Sequence, residues 1–250
     1  MTHESAIRGA GLTDIGRVRS TNQDAFLADP EHGLYVVADG MGGHAGGEIA
    51  SSLCIKEVRN FLDANGQTFT AKNRHPDPKI RGAILNAINH ASTKIYERAL
   101  EEPTLKGMGT TATVVKIVNS HAYVGHVGDS RCYLIRCGLI YQLTNDHSLV
   151  SEQVRAGIIT KEEAELHHLR NVITRSVGYQ EEEDVDGTCI DLDKGDFLLL
   201  CSDGLHGKVS DREISRLVQE KGIEALKHLI DLANSRGGDD NITVVVIEVR

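Results

Sequence analysis

No run in this 250-residue sequence is long and apolar enough to span a membrane as a helix, so membrane-spanning helices are not expected. Met1–Ala10 carries Glu4 and Arg8 and lacks an apolar core, which gives no expectation of a secretory leader. A C-x-x-C pair is missing, and five cysteines are an odd number, so neither a disulfide framework nor a zinc ribbon is expected. Cys54, Cys132, Cys189 and Cys201 fall in apolar patterns and read as small core residues, a usage that fits a reducing cytoplasm. A basic excess is lacking too. With 27 Lys and Arg against 36 Asp and Glu, the net charge of −9 argues against nucleic acid or anionic lipid as a partner. Internal repeats, low-complexity tracts and separating linkers are likewise absent, and a single domain over residues 1–250 is expected.

What is present is a mixture of β-branched runs and amphipathic stretches. Strands are expected at Ala6–Leu12, Ala25–Ala28 and Leu34–Ala38, then a helix over Gly47–Leu62 with Ala50, Cys54, Val58 and Phe61 on one face. Asp77 before Pro78 signals a second helix, with Ile80, Ile84, Ala87, Ala91 and Ile95 along one side. A polar connection, Asn65 to His75, separates the two helices. Ala112–Val118, Ala122–Val127 and Cys132–Arg136, separated by Asn119-Ser120 and Gly128-Asp129, predict an antiparallel meander. A polar helical stretch follows from His147 to Val177, then strands at Thr188–Leu192 and Phe197–Cys201. Helices at Asp211–Glu220 and Ile223–Ser235 and a last strand at Ile242–Val249 complete the chain. Strands in groups and helices in pairs predict an α+β fold with antiparallel sheets and helices outside them.

The placement of the aspartates is the informative feature. Val36-Val37-Ala38 runs into Asp39-Gly40, Leu199-Leu200-Cys201-Ser202 into Asp203-Gly204, and Val124–Val127 into Gly128-Asp129, while Asp239-Asp240 stands just before Ile242. A single Asp-Gly after a strand is ordinarily a turn. Three strand exits and one strand entry suggest more, because converging carboxylates repel one another unless cations lie between them. Such an oxygen-rich set suits hard cations, and there is no His/Cys cluster to suggest zinc. Asp24 adds a carboxylate at a strand start, and Arg19 a planar fork that matches a phosphate group. The run Asp39–Glu48 is glycine-rich but has neither a Walker lysine nor the dinucleotide spacing; its glycines read as close-approach positions beside His44.

These pieces, in order, are Gly16–Asp24, Ala38–His44, Gly107–Thr111, Val127–Arg131, Asp146–Leu149, Arg170–Arg175, Ser202–Leu205 and Gly237–Asn241. In them the chain resembles the type 2C metal-dependent serine/threonine protein phosphatases, in their compact bacterial form, from about Gly11 to Val249. The resemblance implies two antiparallel sheets sandwiched between antiparallel helix pairs, a four-layer α+β fold with a flap at about residues 147–177. It implies hydrolysis of phosphoserine and phosphothreonine by a metal-activated water at a binuclear Mg2+ or Mn2+ centre, with a weaker third cation. Asp39, the Gly40 carbonyl, Asp203 and Asp240 would be its ligands, Asp129 would hold the third ion, and Asp24 would act through water. Arg19 would bind phosphate and His44 protonate the leaving group; His167, His168 and Arg170 would belong to the flap and its substrate contacts. The implied setting is a cytoplasmic monomer acting on phosphorylated proteins, including a serine/threonine kinase and its substrates. Two other readings are a catalytically weak regulatory pseudophosphatase and a phosphatase of small phosphate esters.

Overall fold

In the computed structural model, residues 7–42, 46–65 and 76–250 are described. The first strands are β1 (Ile7–Asp14), β2 (Asp24–Asp29) and β3 (Leu34–Met41), followed by helices α1 (Gly46–Ala64) and α2 (Pro78–Glu101). Then come β4 (Gly109–Thr110), β5 (Ala112–Val118), β6 (His121–Val127), β7 (Arg131–Arg136) and β8 (Leu139–Gln142). Two short helices, α3 (Leu149–Arg155) and α4 (Lys161–Leu166), precede β9 (Asp186–Asp191) and β10 (Phe197–Cys201). The chain ends with α5 (Asp203–His206), α6 (Asp211–Lys221), α7 (Ala225–Ser235) and β11 (Ile242–Val249).

Two antiparallel sheets result. One has the order β1-β11-β10-β7-β8, the other β2-β3-β5-β6-β9 with β4 beside β3. Side-chain alternation sorts each central strand between two cores. Tyr35, Val37, Val115, Leu198, Leu200, Val245 and Ile247 fill the space between the sheets. Leu34, Val36, Ala38 and Val114 point the other way, onto Ala50, Cys54, Val58, Ile80, Ile84 and Ile88 of α1 and α2. Leu199, Cys201, Val244 and Val246 meet Ile214, Val218, Leu229 and Ile230 of α6 and α7. Three apolar layers between four layers of structure make the expected α+β sandwich. The central strands read as unbroken apolar runs because both of their faces are covered.

The second helix starts as expected: the Asp77 side chain accepts from Lys79 N at 2.9 Å, and Ile80, Ile84, Ala87, Ala91 and Ile95 are all buried. Cys54, Cys132 and Cys201 are buried and Cys189 partly so, all as free thiols. No helix among the described residues is long and apolar enough to cross a membrane. Most of the Asn65–His75 connection lies outside the described residues.

Two expectations need correction. The meander ends after its second strand: β6 pairs with β5 and β9, whereas β7 pairs with β10 and β8 in the opposite sheet. Gly128-Asp129 is therefore a crossing between sheets and not a hairpin turn, which short strands separated by turn residues cannot reveal. The 147–177 stretch is also not continuously helical. Helix α3 is capped by Ser148 and α4 by a Thr160/Glu163 capping box, with Gly157 at φ 69° breaking the chain between them.

Helix α2 packs directly onto β6 because Gly125 has no side chain: a Cβ there would lie 2.6 Å from Ile84 and 2.8 Å from Ile88. Gly125→Val is expected to destabilise the fold by about 1–3 kcal/mol through overpacking, read as a lowered urea midpoint at unchanged slope.

Candidate functional site

Four strand ends and one sheet crossing deliver five aspartates to the same end of the sandwich. Asp24 opens β2 directly opposite Asp39 on β3. Asp203 follows β10 as the first residue of α5, Asp240 stands two residues before β11, and Asp129 lies in the β6–β7 crossing. The charges of Asp24, Asp203, Asp129 and Asp240 all act on Asp39, which places the five in one field. Asp24 and Asp129 are buried; Asp39, Asp203 and Asp240 are partly open to solvent.

The supports are backbone contacts that tolerate almost no movement. A Cβ on Gly40 would run into the Gly47 carbonyl and lie 2.6 Å from the Gln23 carbonyl, so β3, the start of α1 and the entry to β2 meet at a glycine. A Cβ on Gly204 would collide with the Asn241 carbonyl, which presses the Asp203 turn against the Asp240 turn. Asn241 acts as a hub. Its Oδ1 accepts from Gln23 N at 2.8 Å, and its Nδ2 donates to the carbonyls of Ile15 at 2.9 Å and Thr21 at 3.0 Å. The loop that carries Arg19 is thereby fixed to the loop that carries Asp240. Asp39 N donates to Thr111 Oγ1 at 2.9 Å, and that hydroxyl shares a 2.8 Å hydrogen bond with Ser130, next to Asp129. Across the sandwich, Ser202 Oγ donates to Asp24 Oδ2 at 2.8 Å and accepts from Thr243 N at 3.0 Å.

Crowding and burial shift the carboxyls. Burial, followed by the charges of Asp24 and Asp203, holds the Asp39 carboxyl well above the usual range. Burial pushes Asp203 up to about 8, helped by Asp129 and Asp240, and raises Asp24 and Asp129 to about 6 each. Asp39 lies within hydrogen-bonding reach of both Asp24 and Asp203, yet Oδ1 of Asp24 and Oδ1 of Asp203 are buried without a donor. An acceptor facing an acceptor is satisfied only by a proton or a cation. Among the described residues no three His, Cys, Asp or Glu side chains form a group that would by itself hold a metal ion. The donor set is instead a spread of carboxylates with a backbone carbonyl at Gly40, all oxygen, which is the chemistry of Mg2+ and Mn2+. The residues fit such ions on the orphaned oxygens.

Arg19 donates from Nη2 to Asp240 Oδ2 at 2.7 Å, and this bond, with the Asp240 charge, raises the guanidinium further above its ordinary range. Asp129 is backed by His206, whose Nε2 meets the Asp129 carbonyl at 3.0 Å. Behind it, Arg131 clamps Asp146 through Nε at 2.9 and 3.1 Å and Nη2 at 2.6 Å. His44 lies outside the described residues. His167, His168 and Arg170 lie just after α4: the two imidazoles stack 4.6 Å apart, and Arg170 N donates to the His167 carbonyl at 3.1 Å. No hydrogen bond or ion pair among the described residues joins these three to the aspartates.

Sequence reasoning did not assign roles to Ser202, Thr111, Asn241, His126, His147 or His206. Their local signal is weak, since a Ser, Thr or Asn beside an aspartate is common in turns. Only the partners across the fold, 178 residues away for Ser202 and Asp24, give them meaning.

Comparison with known proteins gives a consistent result. The family model for Protein phosphatase 2C matches residues 13–242. Protein phosphatase PhpP of Streptococcus pneumoniae is 36% identical over 244 residues, covering 95% of this chain and 96% of that protein. The serine/threonine phosphatase PstP/Ppp of Mycobacterium tuberculosis superposes with a TM-score of 0.87 at 36% identity, over 98% of this chain and 99% of that one. A PstP catalytic domain, in complex with two manganese ions, has a TM-score of 0.83 at 37% identity, over 97% and 98% of the two chains.

The raised carboxyls have a consequence for stability without metal. A carboxyl whose folded pKa exceeds its unfolded value binds more protons when folded, so its contribution to stability is lost as pH rises through the folded pKa. For Asp203 that window runs from the ordinary 3.8 to about 8. In chelator, thermal unfolding is expected to show a fold that weakens across this range, and Asp203→Asn is expected to raise the Tm near pH 7.5 by roughly 2–4 °C. A lower Tm for Asp203→Asn in chelator would show that the cluster is not under electrostatic strain.

Proposed function

The chain belongs to the protein phosphatase 2C family, and from that premise we propose which residues carry its reaction. It is a metal-dependent serine/threonine protein phosphatase that acts on phosphorylated proteins. Its family depends on magnesium or manganese.

In our reading, Asp39, the Gly40 carbonyl, Asp203 and Asp240 hold two divalent cations, and Asp129 helps to hold a weaker third. The observation that carries this is the convergence of five aspartates in which Asp24 and Asp203 each keep a buried oxygen without a donor. Divalent cations in such a site activate water near neutral pH and offset charge on a phosphoryl group. The chain's own groups do the rest. Asp24, oriented by Ser202, positions water by hydrogen bonding. Arg19 exchanges its contact with Asp240 for the phosphoryl oxygens, which its planar fork matches. His44 supplies the proton that the seryl or threonyl oxygen takes up as its bond to phosphorus breaks. His167, His168 and Arg170, displayed on the surface segment after α4, meet the protein around the phosphorylated residue. The presence of all five aspartates and Arg19 speaks against a regulatory pseudophosphatase. The same reading has the protein working as a cytoplasmic monomer opposite a serine/threonine kinase, in keeping with its free thiols and net charge of −9.

Hydrolysis of a phosphothreonine peptide and of p-nitrophenyl phosphate should require added Mn2+ or Mg2+ and stop in excess chelator. Asp39→Ala should lose both turnover and calorimetric binding of the metal pair. Asp129→Ala should keep the pair while lowering kcat and moving metal activation to higher concentration. Full turnover of Asp39→Ala would remove the aspartates from the chemistry. Arg19→Lys replaces a fork by a point charge, and its KM should rise by roughly tenfold with a smaller fall in kcat. An unchanged KM would take Arg19 out of the phosphate site.

A further inference from the structure

The peptide that leads into Asp129 is held by two buried histidines. Gly128 adopts φ 110°, and a Cβ there would lie 2.6 Å from Thr111 Cβ, so the crossing has one conformation open to it. Gly128 N donates to His147 Nδ1 at 3.1 Å. The Gly128 carbonyl accepts twice, from His147 N at 2.7 Å and from His126 Nε2 at 3.0 Å. His126 Nε2 also reaches the Asn145 carbonyl at 3.1 Å, and its Nδ1 pairs with Thr113 Oγ1 at 3.0 Å. The partners settle the tautomers: Nε2 carries the proton in His126, and Nδ1 is the bare acceptor in His147. The two rings lie 5.0 Å apart, each 1% exposed. Both polar groups of Gly128 are thus fully used one residue before Asp129.

His147 is also the root of the 147–177 segment. Its carbonyl accepts from Thr174 N at 2.8 Å, Ser148 bridges to Ile173, and Leu149 N donates to the Val172 carbonyl at 2.9 Å. The two ends of the segment are therefore zipped together at His147. Further along, Val177 exchanges a pair of hydrogen bonds of 2.8 and 3.0 Å with Thr110, whose hydroxyl donates to the Asp39 carbonyl at 2.9 Å. The same backbone that closes the segment touches the supports of two aspartates.

We propose that His147 is a positioning residue that ties the base of the 147–177 segment to Gly128, so that the placement of the segment and of Asp129 is set jointly. The inference rests on the reading above, in which Asp129 and this segment serve turnover. It touches neither substrate nor cation itself. The side-chain part of the link is a single acceptor atom, Nδ1; the backbone bond from His147 N to the Gly128 carbonyl stays in every variant, and Nε2 faces Asp186 Oδ2 at 3.3 Å on the other side of the ring, so the Nδ1 contact is separable by mutation. Asn places an acceptor near the position of Nδ1, Gln places one nearer Nε2, and Leu supplies none.

The test uses the full chain with His147→Asn, His147→Gln and His147→Leu, each alone and on Asp129→Ala. Amide hydrogen exchange over residues 149–176 is measured without metal. Manganese binding is followed by calorimetry, and kcat and KM are measured on a phosphothreonine peptide and on p-nitrophenyl phosphate. Loss of one hydrogen bond to a buried amide is expected to speed exchange across the segment and raise the manganese needed for half-activation by about three- to tenfold in His147→Leu and His147→Gln. His147→Asn should stay within about twofold of the parent protein, and His147→Leu should add no further loss on Asp129→Ala, because residues acting through one another are not additive. Unchanged exchange in His147→Gln, or losses that add fully on Asp129→Ala, would overturn the tie. If His147→Leu does not fold, the Asn and Gln pair decides alone. If Asp129→Ala behaves like the parent protein, the role given to Asp129 fails, and the exchange measurement still decides whether His147 anchors the segment.

Discussion

Like charges brought together on supports that cannot yield are the constraint on which the rest of this molecule turns. Five carboxylates at one end of a sandwich would relax apart if their loops were free to move. Here they are not free. Gly40 is wedged between the carbonyls of Gly47 and Gln23, Gly204 lies against Asn241, and Gly128 lies against Thr111. The first two contacts are with backbone and the third is with the stiff side chain of Thr111, so burial and, after it, repulsion among the aspartates are expressed as raised carboxyl pKa values and unsatisfied oxygens and not as displacement. In the proposed reading such a site is prepared for cations before any arrive, and its stability is expected to be lower in their absence.

The two-sheet architecture is what makes that convergence possible. Asp24 and Asp39 ride on one sheet, while Asp203 and Asp240 sit at the ends of neighbouring strands in the other. The apolar layer containing Tyr35, Val37, Leu198, Leu200 and Val245 sets the spacing between the sheets. Where that layer ends, polar bonds take over: Ser202 to Asp24, and Asn241 to the Gln23 amide. A one-residue slip in β10 or β11 would move both the core faces and the carboxylates, so register is specified twice, once by burial and once by the site.

Most of the strands, the capping of α2 and the strand-end placement of Asp39, Asp203 and Asp240 were legible in the sequence, because burial on both faces leaves unbroken apolar runs and because Asp beside such a run stands out. The α+β class followed from the same pattern. The passage of the chain from β6 to β7 was not legible. Gly128-Asp129 looks like a hairpin turn locally, and only the pairing of β7 with β10, some 65 residues later, shows that it crosses between sheets. The reading of 147–177 as helical failed for a related reason: polar residues suited to helices are there, but short caps and Gly157 cut the segment into pieces held by contacts to distant backbone. His126, His147 and His206 were given no role, since a single histidine carries no local mark of what it will hold.

Arg19 shows how the balance of magnitudes bears on turnover. Its bond to Asp240 is short, 2.7 Å, but the guanidinium is 51% exposed and the carboxylate 34%. Ion pairs this open contribute only about 0–1 kcal/mol, because water and salt screen them and two side chains must be ordered to make them. The same guanidinium offers a second charge-assisted bond to a phosphoryl group that it cannot make to Asp240 in the observed geometry, where one nitrogen alone is engaged. The loop beneath it, by contrast, is fixed by Asn241 through the carbonyls of Ile15 and Thr21. In the proposed role, then, the backbone of Arg19 needs no reordering when substrate arrives, and the side chain leaves a partner whose hold is weak. A buried Arg19–Asp240 pair would have been far harder to exchange, so the exposure of this ion pair suits a residue that must change partners in every cycle.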